Sequence, residues 1–149
     1  MSKKIDFYNS LELTLLEAEN LISDGVENSK SMFHTPVLSS FVEKTISTRT
    51  VVLREFDSKN RTLRFHTDSR SGKIEELKEN SISSVHGYDP DLKVQIRLKG
   101  KTLLHIDNEI SKKFFRNFII NMKQRFSLKP NLNFEIWIVT VDRGNRVLL

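Results

Sequence analysis

The stretch Lys93-Val-Gln-Ile-Arg-Leu-Lys99 narrows the possible folds more than any other part of the chain. Val94, Ile96 and Leu98 alternate with Lys93, Gln95, Arg97 and Lys99. A period of two sets the apolar residues on one face of a strand and the polar residues on the other. Such a strand belongs to a sheet with one packed face and one open face, which antiparallel sheets permit. The alternation extends the predicted strand over 93–105, with Gly100 as a bulge or a point of close approach. Residues 62–67 repeat the pattern, with Leu63 and Phe65 opposing Arg64 and His66. Asp57-Ser58-Lys59-Asn60 supplies turn chemistry before them. A hairpin is therefore predicted between 48–54, which carries Val51, Val52 and Leu53 in a row, and 62–67.

Further strands are predicted over 37–46, 81–88 and 133–141, and a short last one over 145–149. Asp89-Pro90-Asp91 reads as a turn. Helical spacing places Leu11, Leu15, Ala18 and Ile22 on one face of a helix over 9–23, with Asn9 and Glu12 as a capping pair. Residues 24–36, with Gly25 and Pro36, read as loop. A short helix is predicted over 73–80, after caps offered by Asp68-Ser69-Arg70-Ser71. A longer helix is predicted over 107–126, carrying Ile110, Phe114, Phe118 and Met122. Strands joined by short turns, with a few helices, predict an α+β domain built on an antiparallel β-barrel with flanking helices, one domain over 1–149.

The 149 residues suffice for a core without staples. With no cysteine, disulfides, thiolate metal sites and cysteine nucleophiles are excluded. Polar residues interrupt the N-terminal segment, and no apolar run nears the roughly 20 residues that span a bilayer. The expectation is a soluble, cytoplasmic protein without membrane contact. The 24 Lys and Arg against 19 Asp and Glu give a net charge of +5, which favours anionic partners without choosing among them. The basic residues form no block and exposed aromatics for base stacking are not evident, so nucleic acid is not the expected partner.

Arg49 and Arg54 flank an apolar strand, Lys73 opens the short helix, and Ser69 and Ser71 surround the same turn. Free N–H groups, hydroxyls and cations in one place could cradle a phosphate; a solvated basic turn is the other reading. Gln95 stands within the polar stripe of its strand, and its amide both donates and accepts, as the edge of a flavin pyrimidine ring or a nucleobase demands. The four histidines His34, His66, His86 and His105 have no metal-ligand spacing, and no nucleophile, P-loop or dinucleotide motif is present. An enzyme built this way would need a cofactor to carry its chemistry. The phenylalanines of 107–126 exceed the needs of one helix face, which leaves either core packing or a second subunit.

Arg49-Thr-Val-Val-Leu-Arg54, then Phe65-His-Thr-Asp-Ser-Arg-Ser-Gly-Lys73, with Tyr88-Asp-Pro and Gln95-Ile-Arg-Leu-Lys-Gly100 downstream and Phe33-His-Thr-Pro36 upstream, resembles the pyridoxamine 5′-phosphate oxidase-like family of FMN-binding split barrels. The resemblance covers residues 9–107 well and the rest loosely. It implies FMN as cofactor and a homodimer with FMN at the subunit interface. It implies Arg49 and Lys73 as main phosphate ligands, helped by Ser71 and the Gly72 backbone, and Thr50, Val51 and Val52 as the strand along the isoalloxazine ring. Arg54 would stand near the flavin, His66 and Thr67 near the ribityl phosphate, and Gln95 against the ring. Gly72 stands where the vitamin B6 oxidases carry an arginine. The 110–126 segment lacks their substrate-phosphate residues, and the Trp-containing tail of those enzymes is absent before Leu149. The resemblance thus implies the flavin-binding branch: an FMN-dependent oxidoreductase of unknown small substrate, or a non-catalytic FMN carrier. Haem-binding and deazaflavin-binding members leave the ligand open within the class.

Overall fold

The structure, a computed structural model, describes residues 10–68, 70–106, 108–114 and 116, together with the backbone of 134–141. Helix α1 spans Leu11–Glu27. Its N-cap is Ser10, whose Oγ accepts from the Leu13 N–H at 3.3 Å and donates to Glu12 at 2.8 Å. Asn9 lies outside the described residues. The helix runs four residues past the predicted end because Gly25 is a contact glycine and not a stop. A Cβ there would stand 2.6 Å from the Phe33 backbone. Ala18, Ile22 and Gly25 form the buried stripe.

The strands are β1 (Val37–Val42), β2 (Thr45–Thr50), β3 (Leu53–Asp57), β4 (Thr62–Asp68), β5 (Ile82–Asp89), β6 (Val94–His105) and β7 (Phe134–Val141), with helix α2 at Lys73–Glu79 between β4 and β5. The single strand predicted over 37–46 is in fact most of a hairpin. Glu43, at φ 52, turns the chain between β1 and β2, and nothing in Glu-Lys carries the usual hairpin signature. The strand predicted over 48–54 is broken at Val51-Val52. The hairpin with 62–67 therefore belongs to β3 alone, with a register shift between Leu53 and Glu55. Gly100 pairs regularly with Ser83, so no bulge forms there. Residues 109–114 are helical. The remainder of the predicted 107–126 helix and the strand predicted over 145–149 lie outside the described residues.

All pairings are antiparallel and the order is β2-β1-β5-β6-β7-β4-β3. Strands β2 and β3 are consecutive in the chain yet hold opposite edges, with only Val51 and Val52 between them. Three residue steps from Thr50 to Leu53 span about 10 Å, whereas a flat sheet of seven strands is roughly 29 Å wide at ~4.8 Å per step. The sheet must therefore curl until its edges approach. No ladder joins β2 to β3, so the barrel is not closed. The linker instead bonds sideways, Val51 N–H to Pro36 O at 3.0 Å and Leu53 N–H to His34 O at 2.9 Å.

The concave face is the core. Leu38, Leu53, Leu63, Phe65, Val85, Val94 and Ile96 are buried there, with Phe33, Ile22 and Ala18 on one side and Ile74 and Leu77 of α2 on another. Burying a side chain of this kind contributes roughly 1.5–3 kcal/mol, so the alternation seen in the sequence is the driving term. The β4 pattern follows it residue by residue: Leu63, Phe65 and Thr67 buried, Arg64, His66 and Asp68 half-buried. Near α2 the concave face turns polar. Ser83 Oγ and Thr102 Oγ1, both buried, bond at 2.7 Å.

Candidate functional site

Strand register decides which candidates can meet. Arg49 pairs with Leu38 and Ser47 with Ser40, so both residues of β2 share the concave side with the core. Helix α2 lies against β1, and its Glu76 reaches the same place. Glu76 Oε2 accepts from Arg49 Nη2 at 2.6 Å and from Ser40 Oγ at 2.9 Å. Ser47 Oγ also contacts Arg49 Nη2. The other terminal nitrogen, Arg49 Nη1, is buried and has no hydrogen-bond partner among the described residues. A buried donor of a charged group left without an acceptor is costly, and an anion would complete it.

Lys73 stands in the same field. Burial holds its ammonium below the usual lysine range and the Arg49 charge pushes further down, while Glu76 and Asp68 oppose. Two like charges held this close favour an anion between them. Ser71 is half-buried at the start of α2, its N–H bonded to Asp68 O at 3.0 Å. Thr67 is buried on the concave side of β4. Helix α2 itself brings little: its N-cap Gly72 makes no side-chain cap, and its first turn carries Glu75 and Glu76. The cradle therefore rests on side chains from β2 and α2. Arg70 pairs with Asp68 through Nη2 at 2.6 Å, which holds the Asp68 carboxyl down at about 2. The predicted strand along the ring is the end of β2 and the linker after it: Thr50 is exposed, Val52 half-buried and Val51 buried.

The remaining candidates lie on the convex face. His66 sits among Arg54 and Arg64. Burial first, then the charges of Arg64 and Arg54, push its imidazole down to about 4, so it is neutral at pH 7. Arg64 is ion-paired with Glu55 and lies 3.5 Å from the centroid of the Phe114 ring. Its Nε is buried without a hydrogen-bond partner among the described residues. Gln95, half-buried, is opposite Tyr88, itself exposed on that face. One chain therefore groups Arg49, Lys73 and Glu76 on the concave side, Arg54, Arg64 and His66 on the convex side of β3–β4, and sets Gln95 apart on β6. The sequence reading missed Ser40, Ser47 and Glu76. The signal for Ser40 and Ser47 was polar residues at inward positions of alternating strands, visible only once the β1–β2 turn is placed; Glu76, on α2, carried none.

The geometry of the concave site is that of an anion cradle. A profile of the family described as "Pyridoxamine 5′-phosphate oxidase, FMN-binding domain" matches residues 17–106, and the chain belongs to this family. Its cofactor is accordingly FMN, whose terminal phosphate suits Arg49 Nη1 and Lys73. No curated protein matches. Among solved structures, a pyridoxamine 5′-phosphate oxidase-related, FMN-binding protein of Nostoc punctiforme is 19% identical, with TM-score 0.61 over 84% of this chain and 78% of its own. The General Stress Protein 26 of Bacillus anthracis is 20% identical, with TM-score 0.59 over 85% and 90%. An F420 reductase is 16% identical, with TM-score 0.59 over 83% and 92%. At these identities the likeness is one of fold.

Proposed function

We propose that the protein is an FMN-dependent oxidoreductase acting on a small substrate, on a split barrel that works as a homodimer with FMN at the subunit interface. The observation that carries the reading is the buried, unbonded Arg49 Nη1 beside Lys73. Arg49 and Lys73 hold the phosphate, with Ser71 beside them. Thr67 lines the approach from β4, and Thr50, Val51 and Val52 run along the ring. Bound FMN supplies hydride or electron transfer; the chain supplies binding and orientation.

Register supports the dimer. Gln95 projects from the face opposite Arg49, so a flavin anchored by Arg49 of one copy meets a glutamine delivered by another. The same convex face exposes Phe41 (42%), Ile46 (66%), Ile82 (51%) and Leu103 (55%), an apolar surface that a second copy would cover. Arg54 and His66 then belong to the substrate side, where the neutral imidazole can donate and accept but not add charge. Among the described residues, no helix is long and apolar enough to cross a membrane.

The test is spectroscopic. The purified protein, reconstituted with FMN, should show flavin absorption and elute as a dimer. An Arg49→Ala/Lys73→Ala variant should bind FMN at least ~100-fold more weakly, since charge-assisted bonds are worth about 1.5–3 kcal/mol each. Unchanged FMN affinity in that variant would remove the phosphate assignment. Failure of bound FMN to be reduced by NADH or NADPH, with chemical reduction by dithionite as the control for intact flavin, would leave the carrier function in place of the oxidoreductase.

A further inference from the structure

The Arg49 guanidinium is held from two directions through one nitrogen. Nη2 meets Ser47 Oγ and the Glu76 carboxylate, while Nη1 is buried without a hydrogen-bond partner among the described residues. Glu76 is itself fixed, because its Oε2 also accepts from Ser40 Oγ at 2.9 Å. The Arg49 and Glu76 side chains are only 17% and 18% exposed, so water does not dissolve the pair. An arginine free to rotate would lose several rotamers on meeting a phosphate. One clamped through Nη2 has already lost them and offers Nη1 in a fixed direction.

Glu76 has a second effect on the same site. It stands within the field of Lys73 and raises that ammonium's affinity for its proton, against the depression caused by burial and Arg49. A carboxylate beside a phosphate site would ordinarily repel the ligand. Here its charge lets two cations coexist in a half-buried place before the ligand arrives. Ser40 holds the same Glu76 oxygen, Oε2, that Arg49 uses, and its burial on β1 is otherwise unexplained by the core.

We infer that Glu76, braced by Ser40, is a positioning residue that aims Arg49 Nη1 at the terminal phosphate of the flavin, and so sets the preference for FMN over riboflavin. The inference rests on the assignment of Arg49 and Lys73 to the phosphate. Glu76 acts through Arg49 and is not itself a ligand. Its hydrogen-bond acceptance matters more than its charge, because Nη2 needs an acceptor at a fixed point.

Equilibrium titration of the full chain with FMN and with riboflavin, in Glu76→Ala, Glu76→Gln and Ser40→Ala variants, tests this. Glu76→Ala is expected to weaken FMN about tenfold, the worth of one charge-assisted bond, and to leave riboflavin unchanged. Glu76→Gln keeps an acceptor and is expected to stay within about threefold of the parent for FMN, the tenfold loss being tied to a missing acceptor. Ser40→Ala should fall between them. A merely structural role would weaken both ligands together, so an unchanged FMN-to-riboflavin ratio in Glu76→Ala overturns the inference, as does tighter FMN binding in that variant. Arg49→Ala separates the two levels. Loss of FMN preference there with none in Glu76→Ala sinks the positioning role alone. No loss in Arg49→Ala sinks the phosphate assignment beneath it.

Discussion

Acidifying the protein should destabilise it through His66 in a window where few other groups act. The imidazole is half-buried on β4 between Arg54 and Arg64, and its folded value is about 4 against an ordinary 6.5. Between those values the unfolded chain binds a proton that the folded chain refuses, so stability is full above 6.5 and falls as pH drops towards 4. At ~1.4 kcal/mol per pH unit the whole gap is worth at most about 3.5 kcal/mol. Between pH 7.5 and pH 4.5 the linkage relation gives about 2.5 kcal/mol, which screening of a half-buried ring reduces to about 1–2 kcal/mol. Asp68 and Asp57 also have depressed values, but carboxylates of that kind keep their contribution above the ordinary 3.8 and lose it only below. The two effects occupy separate ranges. Urea unfolding of the flavin-free protein across pH 4.5–7.5, compared with His66→Gln, reads the difference directly; the flavin must be absent because a phosphate monoester titrates near pH 6. The variant should have a flatter profile by about 1–2 kcal/mol over that range, as derived from the same linkage. Parallel profiles would refute the burial of a neutral imidazole between two arginines.

Other consequences are simpler to read. Gly87→Ala places a Cβ 2.5 Å from Phe33 Cδ1, a ring buried in the core, and should cost about 1–3 kcal/mol by thermal or urea unfolding; partial recovery by Phe33→Leu in the same chain identifies the clash, and a neutral Gly87→Ala rejects it. Thr102→Val removes the 2.7 Å partner of Ser83 Oγ, which keeps only Ser81 O at 3.3 Å, and should cost about 0.5–1.5 kcal/mol. The double change with Ser83→Ala should cost less than the sum of the two, and strict additivity would show that the hydroxyls do not depend on one another. Arg64→Met should loosen the 109–114 segment by removing the guanidinium packed on Phe114, seen as faster amide exchange there; unchanged exchange would mean the ring contact holds nothing.

Alternation carried the fold. In β4 and β6 the buried side predicted from Leu63, Phe65, Val94 and Ile96 is the buried side observed, because period two is a local property that burial rewards directly. The breaks were not legible. Val51-Val52 looks like the middle of a strand because both residues favour extended backbone, and the chain leaves the ladder there only because β2 and β3 belong to opposite edges. The Glu43-Lys44 turn was hidden for a related reason: its demand for a positive φ falls on a residue with no preference for it. The site was legible by half. Arg49 and Lys73 stood out as cations near a turn, and the family pattern gave them a ligand. The clamp of Ser40, Ser47 and Glu76 depends on a register between β1 and β2 that no local pattern encodes. That Gln95 and Arg49 face opposite ways also needed the register of four strands, β2-β1-β5-β6.

The position of β7 bears on how the molecule comes into being. This strand lies between β6 and β4, and joins β2-β1-β5-β6 to β4-β3. On the ribosome, the inner edges of both partial sheets emerge well before residues 134–141 can fill the gap. Until then two unpaired edges coexist in one chain, the state in which strands add to the wrong neighbour. Pairing residues 62–68 with 134–141 also closes a long loop before any contact rewards it, which slows folding. A chain ended at residue 130 should accordingly associate, by light scattering, at concentrations where the full chain does not, and a native-like, monodisperse fragment would show that the two inner edges need no seventh strand to protect them.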